Sequence, residues 1–467
     1  MTRPRSILAA ALPSLLAASA AAPPPVRACH TYDHVVMLEH MGMNVSPQIK
    51  EMLLHHPLDR TVVEYEPLAF TPCADGFAGP YPCSKVDLLA ALPASAMGAA
   101  GMSGNDIWGW TDPVTGHEWA LMGLSNGTSF VDVTDPVNPV YMGRLPSHNL
   151  ANSTWRDIKV YADHAFIVSE ASGHGMQVFD LSKLRSIRNP PVTFDWMNDL
   201  AAHYDDFGNA HNVAINEQTG FAYAVGTSTC SAGLHMVNIQ NPSNPTSAGC
   251  YSSDGYTHDV QCVVYHGPDL QHQGDEICFA SNEDTVTIVD VSNKMSPQQL
   301  SRTGYLNHGY THQGWLTEDH RYFVHDDELD EAFFGHNTWT YVWDLTDLET
   351  PLLVDHFESS TPAIDHNQYV RDGFTFQSNY RAGLRILRIV DPAQGLLEED
   401  AFFDTLPAND GTDFSGTWSN YPYFESGIVI VSDINSGLFV LRPNLAGSIF
   451  ADGFESGDLS AWSEIVP

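Results

Sequence analysis

The sequence predicts an all-β chain folded as a β-propeller of seven blades. Three observations carry the prediction. A β-branched strand that usually ends in Asp or Asn and runs into a turn recurs seven times between Phe130 and Leu441, at steps of 44 to 58 residues. Two polar landmarks, one before and one after a second apolar strand, recur in the same frame. No stretch after residue 103 has the length and 3.6-residue period of a long helix. A period of ~45–55 residues holds four short strands, the size of a propeller blade. A β-sandwich needs ~100 residues per domain, and a β-helix coil is far shorter than this period.

Composition narrows the partners. The chain has 467 residues, with 57 Asp and Glu against 20 Lys and Arg, a formal charge of −37. Nucleic acid and anionic membrane surfaces both require a basic footprint, so neither is an expected partner. Hydrophobic residues make up 43% and aromatics 11%, enough for a large core and unlike a disordered acidic tail.

From the N-terminus, Met1 to Ala22 reads as a secretory signal peptide: basic Arg3 and Arg5, apolar Ile7 to Leu16, then a small-residue cleavage zone. The apolar run is shorter than the ~20 residues of a membrane span, and no later stretch reaches that length. The expected address is therefore extracellular, or periplasmic and cell envelope. Export permits disulfides. Six of the seven cysteines form three sequence-local pairs, Cys73/Cys83, Cys230/Cys250 and Cys262/Cys278, leaving Cys29 over. Local pairing is the simplest of the 15 ways to pair six cysteines. A zinc site is the rival reading, but no Cys-x-x-Cys is present.

Residues 23–103 are expected to form an N-terminal segment stapled by the Cys73/Cys83 loop, 104–444 the propeller, and 445–467 a tail with the character of a sorting segment. The repeated strand is marked at Asp132, Asp180, Asn238, Asp290, Asp344, Arg388 and Leu441. Its following turn is often Asp/Asn-Pro-x-x-Pro, as at Asp135–Pro139 and Asn241–Pro245, where Pro sets the turn and stops the strand. The last unit has room for only three strands. The missing outer strand is expected from the N-terminal segment, at Val62 to Phe70.

The landmarks carry the chemistry. The first set contributes Trp155, Arg156, His211, His258, His312, His366 and Trp418. The second contributes Glu170, Glu283, Asp326, Asp327, Asn379 and Asp433, with Glu328 nearby. The innermost strand of a blade lines the axis and the next runs antiparallel beside it, so both sets are expected around one mouth of the channel. Trp155, Arg156, Glu170, Glu283, Asp326, Trp418 and the four His are the candidate ligand-binding residues. Neutral imidazoles with carboxylates beside them suit a divalent transition metal, and His211, His258, His312, His366, Glu283 and Asp326 are the candidate donors. The other reading is a hydrogen-bonded collar in which each His ties its strand to the next blade.

Other features carry less. His30, His34, Met37, His40, Met41, Met43, His55 and His56 suit copper or ordinary packing. Asp326–Glu331 offers oxygen donors for Ca²⁺ or forms a solvated acidic loop. Asp452–Asp458 has the same ambiguity. Trp108, Trp110, Trp155, Trp315 and Trp418 suit a glycan or peptide platform, or packing between blades. No Gly-x-Ser-x-Gly elbow, P-loop or dinucleotide fingerprint is present.

Several runs are similar to a known family. Cys73–Cys83 followed by Val86-Asp87-Leu88, Asp106–Asp112, Gly255–Asp259, Tyr310–Thr317, Asp326–Asp330, Asp365–Asn367 and Asn379–Ile386 resemble the choice-of-anchor B family of bacterial exported proteins. The strand ending in Val-x-Asp resembles the LVIVD repeat of propeller-like surface proteins. The resemblance implies an exported β-propeller whose C-terminal attachment varies between members, and it transfers no catalytic residue. The tail is similar to a Gly-Phe-Glu-Ser-Gly-Asp…Trp-Ser ending of some proteobacterial exported proteins.

Two functions are therefore expected in competition. The first is a non-enzymatic binding or scaffold module for a protein or glycan, with no nucleic acid and no transmembrane segment. The second is a metal-dependent oxidoreductase or hydrolase with a His/carboxylate site at the channel mouth. Convergence of His211, His258, His312 and His366 on one point discriminates between them.

Overall fold

A computed structural model describes residues 59–445. The signal peptide, Cys29, the His/Met set of residues 30–56 and the Asp452–Asp458 run lie outside the described residues.

The repeated strand ends as it does because its last side chain starts the turn. Asp132, Asp180, Asn238, Asp290 and Asp344 each accept, through Oδ1, the backbone N–H two residues further on, at 2.8–3.0 Å. This Asx turn satisfies a donor that the strand ladder no longer reaches. Arg388 lies inside a longer strand, Leu384–Asp391, and needs no such turn. Leu441 lies in Gly437–Pro443, the last strand of the described chain.

Second strands read as continuous apolar runs, such as Glu276–Ser281 and Val429–Asp433, and are buried throughout. Both of their faces are covered by neighbouring blades. Outer strands such as Leu352–Glu358 keep exposed positions.

Seven sheets result, antiparallel throughout except where Val192–Thr193 adds parallel to Val140–Pro146 in the first. Their innermost strands are, in order, Gly104–Thr111, Arg156–Tyr161, Asn212–Asn216, Asp259–Val264, Thr311–Leu316, Gln368–Arg371 and Thr417–Tyr421. Each lies beside the next, and the seventh lies beside the first, so the ring is closed. The protein is a seven-bladed β-propeller. Apolar wedges fill the spaces between blades. Phe166, Val178, Val213 and Val237 share one wedge, and Ile277, Phe279, Phe323 and Trp343 share another. Each fully buried side chain of this size contributes ~1.5–3 kcal/mol.

The N-terminal segment does supply the closing strand, but at a different place from the one expected. Val86–Leu92 pairs antiparallel with Gly437–Pro443 and completes the seventh blade. Val62–Phe70 forms no strand of the blade: Leu68 makes a single bridge to Ala91 of the closing strand, and just beyond it Thr71 makes another to Leu88. The reason is burial. Val86–Leu92 is an apolar run with six of its seven residues buried, whereas Glu64, Glu66 and Pro67 break the earlier stretch.

The three local disulfides form as paired in the sequence. Cys262 and Cys278 face each other, buried, across the first two strands of the fourth blade. The Cys73–Cys83 loop docks Tyr81–Ser84 onto the outer strand of the sixth blade. Cys230–Cys250 differs in setting. Cys250 is exposed, on the outermost strand of the third blade, Thr246–Tyr251, opposite His235. Its partner Cys230 opens the short turn Cys230–Ala232. Cys250 is therefore no part of a buried site: an outer strand keeps one face in water, so this bridge staples a turn to the rim of the blade.

Candidate functional site

The inner strands all start at one mouth of the channel. Each second strand ends there, because Asp259 pairs with Ser281, Gln313 with Asp326 and Thr417 with Asp433. The two landmark sets are thus neighbours by register.

Four imidazoles from four successive blades form an arc. Ring centroids are 4.4 Å apart for His211 and His258, 4.2 Å for His258 and His312, and 4.4 Å for His312 and His366. The Trp418 ring follows at 4.8 Å from His366. His312 is fully buried, and the other three are at most 7% exposed.

Their hydrogen bonds share a pattern. The Nδ1–H of His258 donates to the carbonyl of His312 at 3.0 Å, and that of His366 to the carbonyl of Trp418 at 2.5 Å. Both bonds cross to the next blade. His312 donates from Nδ1 to Oδ1 of Asp326 at 2.8 Å, and His211 pairs through Nδ1 with Glu170. A carbonyl only accepts, so the proton of His258 and of His366 sits on Nδ1 and the lone pair on Nε2.

Burial keeps these rings neutral. It holds His258 and His312 well below the ordinary imidazole range, helped by the neighbouring rings, and takes His366 down to about 3. His211 is the exception. Burial lowers it, but the hydrogen bond and charge of Glu170 outweigh that and raise it overall.

Nε2 of His312 is buried and has no hydrogen-bond partner. His312, His366 and Glu328 form a group in which one ligand atom of each lies within 4.8 Å of the others. His366 Nε2 is 3.8 Å from Oε1 of Glu328, which also accepts the hydroxyl of Tyr380 at 2.7 Å. Donors ~2.0–2.2 Å from one tetrahedral ion lie ~3.3–3.6 Å apart, so a metal shared by these three residues would draw their ligand atoms closer together. Burial pushes Glu328 up to about 7. Tyr310, Tyr380, Phe414, Trp418 and Ile434 pack beside the group and exclude water.

Asp326 orients His312. Its Oδ1 also accepts the backbone N–H of Gln313 at 3.0 Å, and its Oδ2 the amide of Gln368 at 3.1 Å. Burial pushes Asp326 upward, and these donors oppose the shift. The carboxylate of Asp326 is thus taken up by His312, Gln313 and Gln368, and Asp326 lies outside the close group of His312, His366 and Glu328. Glu283 lies outside the close group of His312, His366 and Glu328, and burial takes it up to about 7.

Arg156 does not face the arc. It is buried between the first and second blades, donating to Leu124 O, Ser147 Oγ and His174. Trp155 and Trp418 join the apolar shell. Trp110 stacks obliquely on Trp119 in packing, while Trp108 and Trp315 line a cavity of about 350 Å³ toward the other end of the channel. There Lys159 pairs with Asp157 at 2.5 Å and lies 4.6 Å from the Trp108 ring centre.

The Asp326–Glu331 run is not a solvated loop. Asp326, Asp327 and Asp330 are fully buried and Glu331 is 1% exposed. Glu328, which completes the close group, stands beside the second landmark without belonging to it. Its only sequence signal is its place two residues after Asp326.

The fold and its repeat define the class: a β-propeller carrying LVIVD repeats. The LVIVD repeat matches residues 207–253 and 269–302, which cover the third blade and most of the fourth. No curated protein matches the chain in sequence. Among solved structures, the chain is similar to the β-propeller domain of Cps50 (Swd1) from Myceliophteria thermophila, with 10% identity and a TM-score of 0.47, over 73% of this chain and 96% of that one. It is also similar to the periplasmic gluconolactonase PpgL of Pseudomonas aeruginosa, with 9% identity and a TM-score of 0.42, over 63% and 87%. Identities this low carry nothing about activity.

Proposed function

We propose that the chain is an exported β-propeller that binds a transition-metal ion at one mouth of its channel and performs metal-dependent chemistry there. His312, His366 and Glu328 are the ligands, Asp326 orients His312, and the Trp418 carbonyl orients His366. One observation carries the proposal: His312, whose Nε2 is buried and unpartnered, lies in one close group with His366 and the Glu328 carboxylate. Bare lone pairs packed together repel, and a cation is what they share best.

Three protein ligands leave coordination positions open, which is the arrangement of catalytic rather than structural sites. A two-His, one-carboxylate set suits zinc as a hydrolytic Lewis acid or iron as an oxidoreductase centre. Export rests on the signal-peptide reading of Met1 to Ala22 and is supported by the three disulfides.

A second reading has its own observation. The bonds from His258 to His312 O and from His366 to Trp418 O tie successive blades, as a collar in a non-enzymatic binding or scaffold module would. The two readings differ at Nε2. Calorimetric titration of the chelator-stripped chain with Zn²⁺ and Fe²⁺ separates them. Binding lost in His312→Ala and His366→Ala supports the metal centre; no binding in the parent leaves the collar.

A further inference from the structure

The cavity of about 350 Å³ toward the other end of the channel is not used by the metal centre. All seven inner strands contribute to its wall, so it lies on the axis of the ring. Much of that wall is aromatic. Trp108, Trp315, Tyr369 and Tyr421 come from the inner strands of the first, fifth, sixth and seventh blades, and Tyr423 follows the last of these. Ring centroids are 5.6 Å apart for Trp108 and Tyr369, 5.1 Å for Trp108 and Tyr421, 5.0 Å for Trp315 and Tyr369, and 5.4 Å for Tyr421 and Tyr423. In each pair the planes are turned by 68–76°. Rings at such angles do not stack flat on one another; they join edge to face into one continuous wall. Tyr369 is buried, and the other four are half-buried.

The charges on this wall do not balance. Lys159 is its one Lys or Arg among the described residues. The Lys159 ammonium is already shared by Asp157 at 2.5 Å and Asp106 at 3.4 Å, and it lies 4.6 Å from the Trp108 ring centre. Three more acids line the cavity: Asp259, Glu217 and Glu318. None of the three pairs with a Lys or Arg among the described residues. Asp259 directly follows His258 at the start of its inner strand, so it stands at the inner end. Glu217 and Glu318 are exposed in the turns that follow two inner strands, so they stand at the outer end. The neutral polar groups are largely engaged. Gln313 bonds through both ends of its amide to the backbone of Gln368, and Oε1 of Gln261 accepts the N–H of Leu316.

Aromatic rings and unpaired carboxylates attract the same kind of ligand, a cation with an apolar body. The cavity volume is at the lower end of the ~300–1,000 Å³ of small-molecule sites. We infer that this cavity binds a small organic amine in its protonated form, with the ammonium toward Asp259 and the apolar body against the aromatic wall. Lys159 shows the principle from within the chain, since its own ammonium rests between a Trp ring and two carboxylates. The inference uses no residue of the His312–His366 centre and stands or falls separately.

The test titrates the full chain with benzylamine at about pH 8, where the amine is charged and free carboxylates are ionised, and reads tryptophan fluorescence and heat. Benzyl alcohol and benzoate serve as the neutral and anionic probes of the same shape, and methyl glucoside as a sugar probe. Benzylamine is expected to bind with a Kd below about 1 mM, at least about tenfold tighter than benzyl alcohol, and benzoate not to bind. Asp259→Asn and Trp315→Leu should each weaken benzylamine at least about fivefold, with circular dichroism matching the parent. The probe series on the parent decides the matter even where a variant fails to fold. Absent benzylamine binding, equal binding of benzyl alcohol, or tighter binding of methyl glucoside would overturn the inference. So would an affinity unchanged in both folded variants, since the amine would then sit elsewhere on the acidic surface.

Discussion

His366 turns its Nε2 toward Oε1 of Glu328 at 3.8 Å while its Nδ1–H is held by the carbonyl of Trp418. The blade-to-blade bond fixes the tautomer, and the tautomer decides which atom the ring offers. Collar and metal site are thus two uses of one imidazole.

The Trp418 carbonyl and Asp326 hold the rings but touch no ion, so replacing Asp326 should weaken binding without abolishing it. Asp326→Asn is expected to lower metal affinity about 10–100-fold with the fold retained. Glu328→Gln should cost more, since it removes a ligand and its charge. Metal titration of both variants, with circular dichroism as a check on folding, reads the difference.

Acid should destabilise the protein through His325. Burial takes this ring down to about 3, and neither of its nitrogens has a partner. Its unfolded pKa is about 6.5, so between about pH 6.5 and 3 the unfolded chain takes up a proton that the folded chain refuses. Stability therefore falls as pH drops through that window. His325→Phe, among Phe323, Tyr341 and Trp343, should flatten the fall, read as urea midpoints at about pH 7 and pH 4.5.

Asp259 acts with the opposite sign. Burial takes it up to about 7, so the folded form holds a proton that the unfolded carboxyl releases near pH ~4. The stability linked to that proton is lost as pH rises through about 7. Asp259→Asn should remove this loss, raising Tm at about pH 8.5 relative to the parent more than at about pH 6.

The Asx turns should each contribute about one hydrogen bond. Asp290→Ala removes the acceptor for Ser292 N–H at 2.8 Å and is expected to cost about 0.5–1.5 kcal/mol, whereas Asp290→Asn should cost less. Chemical denaturation of the two variants checks it.

Removing Cys262–Cys278, which closes a loop with a sequence separation of 16, is expected to cost about 3 kcal/mol. The double Ser variant, compared with the parent by guanidinium unfolding, gives the value.

The blade frame is legible because every blade meets the same physical requirements. Asp or Asn stops the strand, and His, Trp or Thr opens the next unit. The convergence of four His is legible for the same reason, since register carries equal positions to one mouth. What stays hidden depends on side-chain direction and burial. Arg156 occupies a His position in the frame, yet its long side chain reaches between blades to Leu124, Ser147 and His174. Glu328 sits outside the repeated frame, so no periodicity flags it. The Asp326–Glu331 run reads as solvent-loving by composition, and only the packing of the next blade buries it. Cysteine spacing pairs Cys230 with Cys250 correctly but says nothing of Cys250 standing exposed on an outer strand. The closing strand is expected too early in the chain because the Asp landmark marks the third strand of a blade, and outer strands such as Leu352–Glu358 carry no repeated signal.

The central claim is the metal at His312, His366 and Glu328. Elemental analysis of the protein purified from its native compartment, beside the His312→Ala/His366→Ala variant, tests it most directly. The account predicts about one transition-metal ion per chain in the parent and none in the variant. A parent that carries no transition metal, and whose stability is unchanged in chelator and in added Zn²⁺ or Fe²⁺, would contradict it.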